Sequence, residues 1–571
     1  MVQIIRHQCG RINRFRTNGT DRRASRLGAV EIPLADTPPV RTFRNPVVPG
    51  FHPDPSVCRV GADYYLVCSS FEYTPGVPIF HSRDLVRWRQ LGNVLDRPSQ
   101  LDLAPDVAAS RGIYAPTIRH HDGRFYVITT STTGPGTSKG HLIVTATDPA
   151  GPWSEPVHLD LPGVDPDLCW DADGTCWCTF SGIRTAIVDP DAGRVLAGPW
   201  PVWSGSGLQY PEAPHLFHVG GRWYLLVSEG GTHTGHAVSI ASAPSPRGPF
   251  TPAPGNPLLT HSGRDLPVRA TGHADLVQAP DGSWWMVLLG IRQRGGWPGF
   301  HVLGRETFLT AVRWNGEWPT FARVDLEAPA PPRASAPEPE ASAPEPVDGA
   351  PSTGWIGDAV RDDFDADRLD PAWISPRWQH VGAHSLTDRP GWLTLHATGA
   401  TLDRPGATVV GRRQLHHDCR AAVHVDPGDA RCGLTVRLDE AHHVELEVAG
   451  GRVEVIGRVG AVRGVLGSTP APPGPFTLAV EVRTHDLVPA GVTSAHQAEQ
   501  GPTGLEADAG PDVLSFRVES GAGTVVVAEL DGRHLSTEAA SGFTGRVIGP
   551  YVTAGTAAFD WFEYTPADAA P

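Results

Sequence analysis

Three carboxylates in the first half of the chain, Asp54, Asp165 and Glu212, stand in short motifs that also contain proline. Hydrolysis of a glycosidic bond needs an acid for the leaving oxygen and a carboxylate base or nucleophile on the opposite face of the sugar. These two groups need different pKa values, which a third charge nearby helps to set. Taken singly, each residue fits better as a strand-entry residue that accepts hydrogen bonds from backbone amides. Their chemistry therefore depends on whether the fold brings them together.

An internal repeat runs through the first 325 residues. A turn pair is followed five times by two large residues and an apolar strand, a pattern typical of a β-hairpin. The copies are GADYY (61–65), DGRFY (122–126), DGTCW (173–177), GGRWY (220–224) and DGSWW (281–285). Their spacing of 47 to 61 residues suits one four-stranded blade. The sequence therefore predicts an all-β fold that begins with a five-bladed β-propeller.

About ten residues before each aromatic pair lies a short polar or proline-containing motif. The five motifs are DPS (54–56), APT (115–117), DPD (165–167), EAPH (212–215) and HAD (273–275). Equivalent positions in the blades of a propeller surround one axis, and the strand before each hairpin is expected to be the innermost. The three carboxylates should therefore converge at one mouth of the ring, which raises the catalytic interpretation to equal weight with the structural one.

The rest of the chain divides by composition. We predict a disordered tail over 1–42, the propeller over 43–326, a Pro/Ala-rich linker over 327–357 and a β-sandwich over 358–567. Within the sandwich, the polar, Gly/Pro-rich residues 486–512 are predicted to form an exposed loop. No helical segment of note is expected.

Charge and cysteine content exclude several classes of function. The net charge is -15, which disfavours nucleic acid and anionic membranes as partners. No stretch reaches transmembrane length, and the Arg-rich start lacks a secretory signal, so we expect a cytoplasmic protein. None of the eight cysteines forms a CxxC pair, and Cys176 and Cys178 are expected to face a core. No metal site is therefore predicted from them.

Several motifs in order resemble glycoside hydrolase family 43, in its β-xylosidase branch. They are NP (45–46) with PGFHPDPS (49–56), FEY (71–73) with PGV (75–77), YAPTIR (114–119), EGGT (229–232), TGHADL (271–276) and LGRETF (303–308). The resemblance is strong over about 43–325. It continues more weakly through FTG (543–545) and FDWF (559–562), which resemble that branch's concanavalin A-like sandwich.

The resemblance implies an exo-acting, inverting glycosidase that releases terminal xylose from xylo-oligosaccharides. By analogy Asp54 is the general base that activates water, Glu212 is the general acid, and Asp165 tunes and orients that acid. One departure is Tyr114, which stands where many relatives carry Trp, and this affects the expected shape of the sugar pocket rather than the chemistry.

The resemblance also implies a set of substrate-binding residues: Phe71, Tyr114, Thr232, His273, Arg292 and Phe543. The aromatic side chains would wall and cap the pocket, and the Arg292 guanidinium would donate to sugar hydroxyls. Each has an ordinary alternative, namely core packing, a turn position for Thr232, and a surface salt bridge for Arg292. His273 would order water or a calcium ion near the propeller axis, or would be a hydrogen-bonded core histidine.

Other functions stay open at this stage. An α-L-arabinofuranosidase needs a similar small pocket, and a non-catalytic carbohydrate-binding propeller needs no carboxylates. A fructan hydrolase is disfavoured because Val164 and Ala213 stand where that family has Arg and Cys. No cofactor is expected to be required, and the sequence leaves open calcium binding, a homo-oligomeric state and the choice between xylose and arabinose.

Overall fold

The computed structural model describes residues 41–134, 137–331, 354–485 and 509–567. The predicted tail, linker and loop fall largely on residues outside this set. In the described residues, strands dominate, and one 3-10 helix (Gly532–Leu535) is followed by one short α-helix (Thr537–Ala540). Neither of these described helices is long and apolar enough to cross a membrane.

Five antiparallel sheets follow one another along the first part of the chain, and we number them as blades 1 to 5. Blade 1 has strands Ser56–Val60, Asp63–Val67, Gly76–Ser82 and Arg89–Leu95. Blade 2 has Gly112–Ile113 and Thr117–His121, which both pair with Arg124–Gly134, then Thr137–Ala146 and Val157–Leu159. Blade 3 has Asp167–Trp170, Cys176–Phe180, Arg184–Asp189 and Arg194–Pro201.

The last two blades follow the same plan. Blade 4 has Glu212–Val219, Arg222–Glu229 and Ala237–Ala243, and Thr251–Pro252 and Leu259–Thr260 both pair with the third strand. Blade 5 has Arg269–Gln278, Trp284–Ile291, Glu306–Asn315 and Trp318–Phe321. In each copy of the repeat, the turn pair lies just before the second long strand of the blade, and the two large residues lie at the start of that strand. This confirms the five-bladed propeller.

The innermost strands form a closed ring. Each blade's inner strand contacts the inner strand of the next, and blade 5 contacts blade 1. A separate two-stranded ladder between Thr42–Arg44 and Glu327–Pro329 joins the two ends of the propeller. Asn45 adds to this closure, because its side-chain amide donates to the backbone carbonyls of Leu309 and Asp325.

The second part of the chain folds into two packed sheets. The first sheet has the strand order His384–Ser385, Leu393–His396, Thr556–Pro566, Cys419–Asp426, Phe476–Thr484, Asp512–Ser520 and Gly523–Asp531, with Val360–Asp362 beside Thr556–Pro566. The second has Thr408–Val409 and Arg412–Arg413 against Val547–Ala554, then Arg431–Asp439, His442–Ala449, Arg452–Val459 and Val462–Pro470. Buried Val, Leu and Phe side chains from both sheets fill the space between them, which confirms the predicted β-sandwich.

The sandwich packs against blade 1 of the propeller. Ser375–Pro376 pairs with Tyr73–Thr74 as a short two-stranded ladder. The buried Arg377 guanidinium donates to the Val107 carbonyl at 2.7 Å and to Glu440 at 2.6 Å. Because this ladder directly follows Phe71 along the chain, the sandwich is fixed close to a predicted wall of the pocket.

Candidate active site

The three predicted catalytic carboxylates meet at one end of the propeller axis. His273 lies among them, with its Nδ1 atom 3.4 Å from Asp54 Oδ1 and 3.9 Å from Glu212 Oε1. The backbone amide of Ala213, the residue after Glu212, lies 3.3 Å from Asp165 Oδ2. Four inner-strand segments, from blades 1, 3, 4 and 5, therefore supply one cluster.

Four residues of this cluster have backbone conformations that L-residues seldom adopt. The φ angles are 55° for Asp54, 55° for Asp165, 49° for Ala213 and 48° for His273. A non-glycine residue in this region costs on the order of 1–3 kcal/mol and is held there only by its surroundings. The repetition of the same unfavourable conformation at one level of four blades marks this level as the functional end of the propeller.

Asp54 is held by one strong hydrogen bond. The Ser69 hydroxyl donates to Asp54 Oδ2 at 2.5 Å, and the second carboxylate oxygen faces the imidazole of His273. The Asp54 side chain keeps 15% of its surface exposed. This carboxylate is therefore fixed in orientation and still open to the pocket, as a base that activates water must be.

Asp165 is the most buried of the three carboxylates. Burial raises the pKa of Asp165 to about 7, and the charges of Glu212 and Asp54 act in the same direction, while His273 and the Ala213 amide oppose them. Asp165 therefore binds a proton at a higher pH than an ordinary aspartate does.

Glu212 is held by two histidines. His236 Nε2 lies 3.1 Å from Glu212 Oε1, and His273 Nδ1 lies 3.9 Å from the same oxygen. Burial raises the pKa of Glu212, but these two histidines outweigh burial and bring the pKa well below the usual range. His236 was not predicted from the sequence. Its ring is fully buried against Gly272, where a Cβ atom would come within 2.4 Å of the ring.

His273 is the cation of the cluster. Burial lowers the pKa of His273, but Asp54, Glu212 and Asp165 outweigh it and raise the pKa to about 9. The backbone amide of His273 donates to the Ser228 hydroxyl at 2.5 Å, which fixes the residue at the end of the pocket.

The predicted aromatic wall is assembled in the structure. The ring centroids of Phe71 and Tyr114 are 5.9 Å apart, and Phe543 of the sandwich lies 5.6 Å from Phe71 and 6.2 Å from Tyr114. The Phe543 amide donates to the hydroxyl of Ser110, a propeller residue, at 2.9 Å. The sandwich therefore contributes one side of the pocket, as the resemblance implied.

The structure places Arg292, the predicted arginine, and Arg305 differently. Arg292 donates from Nε and Nη2 to Glu306, at 2.7 and 2.8 Å, so these two donors of its guanidinium are already engaged by the Glu306 carboxylate. Arg305, which the sequence analysis did not single out, is 96% buried, lies 4.9 Å from the Phe543 ring centroid and donates to the Thr232 carbonyl at 3.3 Å. Burial lowers the pKa of Arg305, and the negative charges of Asp54 and Glu212 act against this lowering, so the guanidinium faces the cluster. Its N–H groups can donate to sugar hydroxyls. Its position within LGRETF (303–308) was the only signal in the sequence.

The predicted role of Arg292 as a hydroxyl donor stays a prediction, now in competition with Arg305. The backbone carbonyl of Thr232 accepts the hydrogen bond from Arg305, and the Thr232 side chain is half-buried.

The axis below the cluster does not fit a calcium ion. The two carboxylates there, Asp167 and Asp275, are already paired with Arg119, at 2.9 and 2.8 Å. Among the described residues, no three His, Cys, Asp or Glu side chains are arranged to hold a metal.

The raised pKa of Asp165 leads to a test by thermal unfolding. Its folded pKa of about 7 lies above the unfolded value near 3.8, so the folded state binds more protons in this window and loses stability as the pH rises through it. We expect Asp165→Asn to unfold at a higher temperature than the wild type at about pH 8, with a smaller advantage at about pH 5. Differential scanning calorimetry at both pH values measures this difference.

Asp275→Asn is the matched control for that experiment. The Arg119 pair lowers the pKa of Asp275 to about 2, so its stabilisation is lost only below about pH 4. This variant should be destabilised equally at about pH 5 and about pH 8. An Asp165→Asn effect that is the same at both pH values would contradict a raised Asp165 pKa.

Comparison with known families matches both halves of the chain. The family model "Glycosyl hydrolases family 43" matches residues 43–319, and "Beta xylosidase C-terminal Concanavalin A-like domain" matches residues 361–565. These ranges correspond to the propeller and the sandwich.

Curated relatives and solved structures match over most of the chain. A non-reducing end alpha-L-arabinofuranosidase of Bacteroides ovatus is 36% identical over 543 residues, which cover 92% of this chain and 95% of that protein. A xylosidase/arabinosidase of Butyrivibrio fibrisolvens is 35% identical and covers 89% of this chain and 95% of its own length. The structure of a xylan beta-1,4-xylosidase from Bacillus halodurans superposes with a TM-score of 0.77 at 29% identity, over 92% of this chain and 100% of that one.

Proposed function

The chain belongs to glycosyl hydrolases family 43, and on that premise we propose that it releases terminal xylose from xylo-oligosaccharides with inversion at the anomeric carbon. The observation that carries this function is the convergence of Asp54, Asp165 and Glu212 inside one aromatic-walled pocket at the propeller axis. A non-catalytic carbohydrate-binding propeller would need no such cluster of carboxylates.

In this proposal the reaction is a single displacement. Asp54, held by Ser69, takes a proton from a water molecule as the oxygen of that water attacks the anomeric carbon. Glu212 gives a proton to the glycosidic oxygen as the bond to the leaving sugar breaks. Each turnover adds a proton to Asp54 and removes one from Glu212. Asp54 must therefore lose a proton, and Glu212 must regain one, before the next turnover.

Asp165 and His273 can return a proton to Glu212. Both bind protons at higher pH than ordinary aspartate and histidine side chains do, because the pKa of Asp165 is raised to about 7 and that of His273 to about 9. The two histidines beside Glu212 favour its ionised form between turnovers, so Glu212 must be reprotonated before it can act as the acid. Its reprotonation therefore draws on a cluster that already contains exchangeable protons.

The separation of the two catalytic groups is compatible with inversion. The two distances from His273 Nδ1 mean that Asp54 Oδ1 and Glu212 Oε1 lie at most about 7.3 Å apart, the sum of the two, and inverting enzymes use about 6.5–9.5 Å between carboxyl groups. The configuration of the released sugar distinguishes inversion from retention.

Exo-action follows from the closed side of the pocket. Phe71, Tyr114 and Phe543 are in mutual ring contact, and the buried Arg305 lies against Phe543. Aromatic faces suit the apolar face of a pentose ring, and the Arg305 fork suits its hydroxyls. A chain end fits such a pocket, whereas the middle of a long polymer does not.

Digestion of xylohexaose followed by proton NMR tests this function. We expect the first-formed xylose to be the α-anomer, released from the β-linked chain by inversion, with stepwise shortening of the oligosaccharide. A β-anomer would contradict the roles of Asp54 and Glu212. Early accumulation of xylobiose and xylotriose without matching xylose would contradict the exo-acting pocket.

α-L-Arabinofuranosidase action is a second candidate for the main activity. The observation that favours it is the 36% identity, over 92% of this chain, to a relative described as a non-reducing end alpha-L-arabinofuranosidase. Hydrolysis of nitrophenyl β-D-xylopyranoside and nitrophenyl α-L-arabinofuranoside, assayed side by side, separates the two. A higher kcat/KM for the arabinofuranoside would replace xylose as the main sugar and would leave the catalytic roles unchanged.

A further inference from the structure

One guanidinium, that of Arg119, contacts the inner strands of the four other blades. From the inner strand of blade 2 it reaches Ser56 of blade 1 at 3.2 Å and Asp167 of blade 3 at 2.9 Å. It also lies 3.1 Å from His215 of blade 4 and 2.8 Å from Asp275 of blade 5. Each of these contacts joins two different blades, so a single side chain spans the whole ring.

The partners of Arg119 are themselves fixed to the backbone of neighbouring blades. Asp275 Oδ2 accepts from the Ser56 hydroxyl at 2.7 Å and from the amide of Val57 at 3.1 Å. Asp167 Oδ2 accepts from the amide of Leu216 at 3.0 Å. We call Arg119, Ser56, Asp167, His215 and Asp275 the axial cluster.

Four residues of the axial cluster follow residues of the catalytic cluster closely along the chain. Ser56 follows Asp54 by two residues, Asp167 follows Asp165 by two, and Asp275 follows His273 by two. His215 follows Glu212 by three. Two residues span at most about 7 Å of backbone, so a shift of the axial cluster passes to the catalytic cluster with little room for relaxation.

The charge of Arg119 is essential to this arrangement. Asp167 and Asp275 have fully buried side chains, and two carboxylates facing one axis repel each other unless a cation lies between them. Removal of one partner from a buried ion pair leaves an uncompensated charge, which is strongly destabilising. The guanidinium also offers several donors in a planar fork, which suits contacts in several directions.

We propose that Arg119 is a positioning residue that serves as the built-in cation of the propeller axis: it occupies the place a bound metal ion could take and holds the inner strands so that Asp54, Asp165 and Glu212 keep their catalytic geometry. The proposal rests on the glycosidase function given above. Arg119 does not contact the sugar. It acts through the strands that carry the carboxylates.

The variant Arg119→Ala tests the proposal. We expect kcat on nitrophenyl xyloside to fall about 10²-fold, the cost of a misplacement near 1 Å, with KM changed far less because Phe71, Phe543 and Arg305 lie outside the axial cluster. Guanidinium ion at a few millimolar should restore a large part of the lost kcat and raise the unfolding temperature of this variant. It should do neither for the wild type. EDTA should leave wild-type activity unchanged.

Two further variants distinguish a loss of positioning from misfolding. Arg119→Lys keeps one charge without the planar fork, and we expect it to fold with kcat reduced about tenfold, since one fork makes several contacts here. Arg222→Ala is the matched control. Arg222 of blade 4 also contacts another blade, through Glu317 of blade 5, but it lies outside the inner strands, so the kcat of this variant should stay at the wild-type level.

The outcomes separate this proposal from the proposed function. If the wild type hydrolyses neither pentoside, the function is wrong. If the wild type is active and Arg119→Ala keeps its kcat, or a folded Arg119→Ala shows a reduced kcat that guanidinium does not restore, the positioning role is wrong. Wild-type activity that EDTA abolishes and calcium restores would also overturn it. If Arg119→Ala does not fold, Arg119→Lys decides, and a wild-type kcat in that variant contradicts the proposal.

Discussion

Replacement of Glu212 with alanine should lower kcat/KM for xylobiose by about 10³- to 10⁴-fold, the upper part of the range for loss of a general acid. The same variant should keep most of its activity on dinitrophenyl β-D-xyloside. Dinitrophenolate leaves without a proton, so only the sugar leaving group depends on Glu212. Steady-state kinetics on the two substrates, with the wild type in parallel, measure this contrast.

Glu229→Gln is a suitable control for the Glu212 experiment. Glu229 is a fully buried glutamate at the end of the next strand of the same blade, and it accepts a hydrogen bond from the amide of Ser206 at 3.0 Å. A glutamine oxygen can still accept that bond, so the control should retain activity on both substrates. If Glu212→Ala loses equal activity on both substrates, Glu212 has another role and the acid must be sought among its neighbours.

The architecture was predictable because its signal repeats. A hairpin turn followed by large residues recurs five times, and each blade must bury its strands against the next, so the spacing alone gives the number of blades. The convergence of Asp54, Asp165 and Glu212 then follows from the symmetry of the ring. The sugar-binding residues and the individual catalytic roles came from the family resemblance instead, since nothing in the spacing distinguishes a base from an acid.

The arginines show where sequence reasoning fails. Arg292 and Arg305 both lie near the ends of blade 5 strands, and only the register shows which one is already paired. Gly290 pairs with Glu306 across the ladder, so Arg292, two residues further on, can reach the Glu306 carboxylate. This contact takes up the Arg292 fork and leaves Arg305 to face the pocket.

His236 and Arg119 escaped prediction for a different reason. His236 precedes a strand of blade 4 and fits only because Gly272 of blade 5 has no side chain, a pairing between distant positions that no local pattern reveals. Arg119 stands in the quoted motif YAPTIR (114–119), but its role depends on four partners from four blades. Such contacts are properties of the assembled ring.

Replacement of Asp54 with alanine should abolish turnover on both xylobiose and dinitrophenyl β-D-xyloside, with a loss of about 10³-fold or more. The general base activates the attacking water whatever the leaving group is, so an activated leaving group does not compensate for its loss. Ser69→Ala should cost far less, because Ser69 only fixes one oxygen of Asp54. Kinetics on both substrates therefore separate Asp54 from Glu212.

Azide provides the decisive test of the Asp54 role. Azide is a nucleophile that needs no deprotonation, and the space left by the Asp54 side chain lies on the face of the sugar where water attacks. In the Asp54→Ala variant, azide should therefore restore turnover of dinitrophenyl β-D-xyloside and give α-xylosyl azide, with Glu212 still present but not required for this leaving group. Recovery of β-xylosyl azide would mean that a nucleophile enters from the opposite face, and the assignment of Asp54 as the base of an inverting displacement would then be wrong.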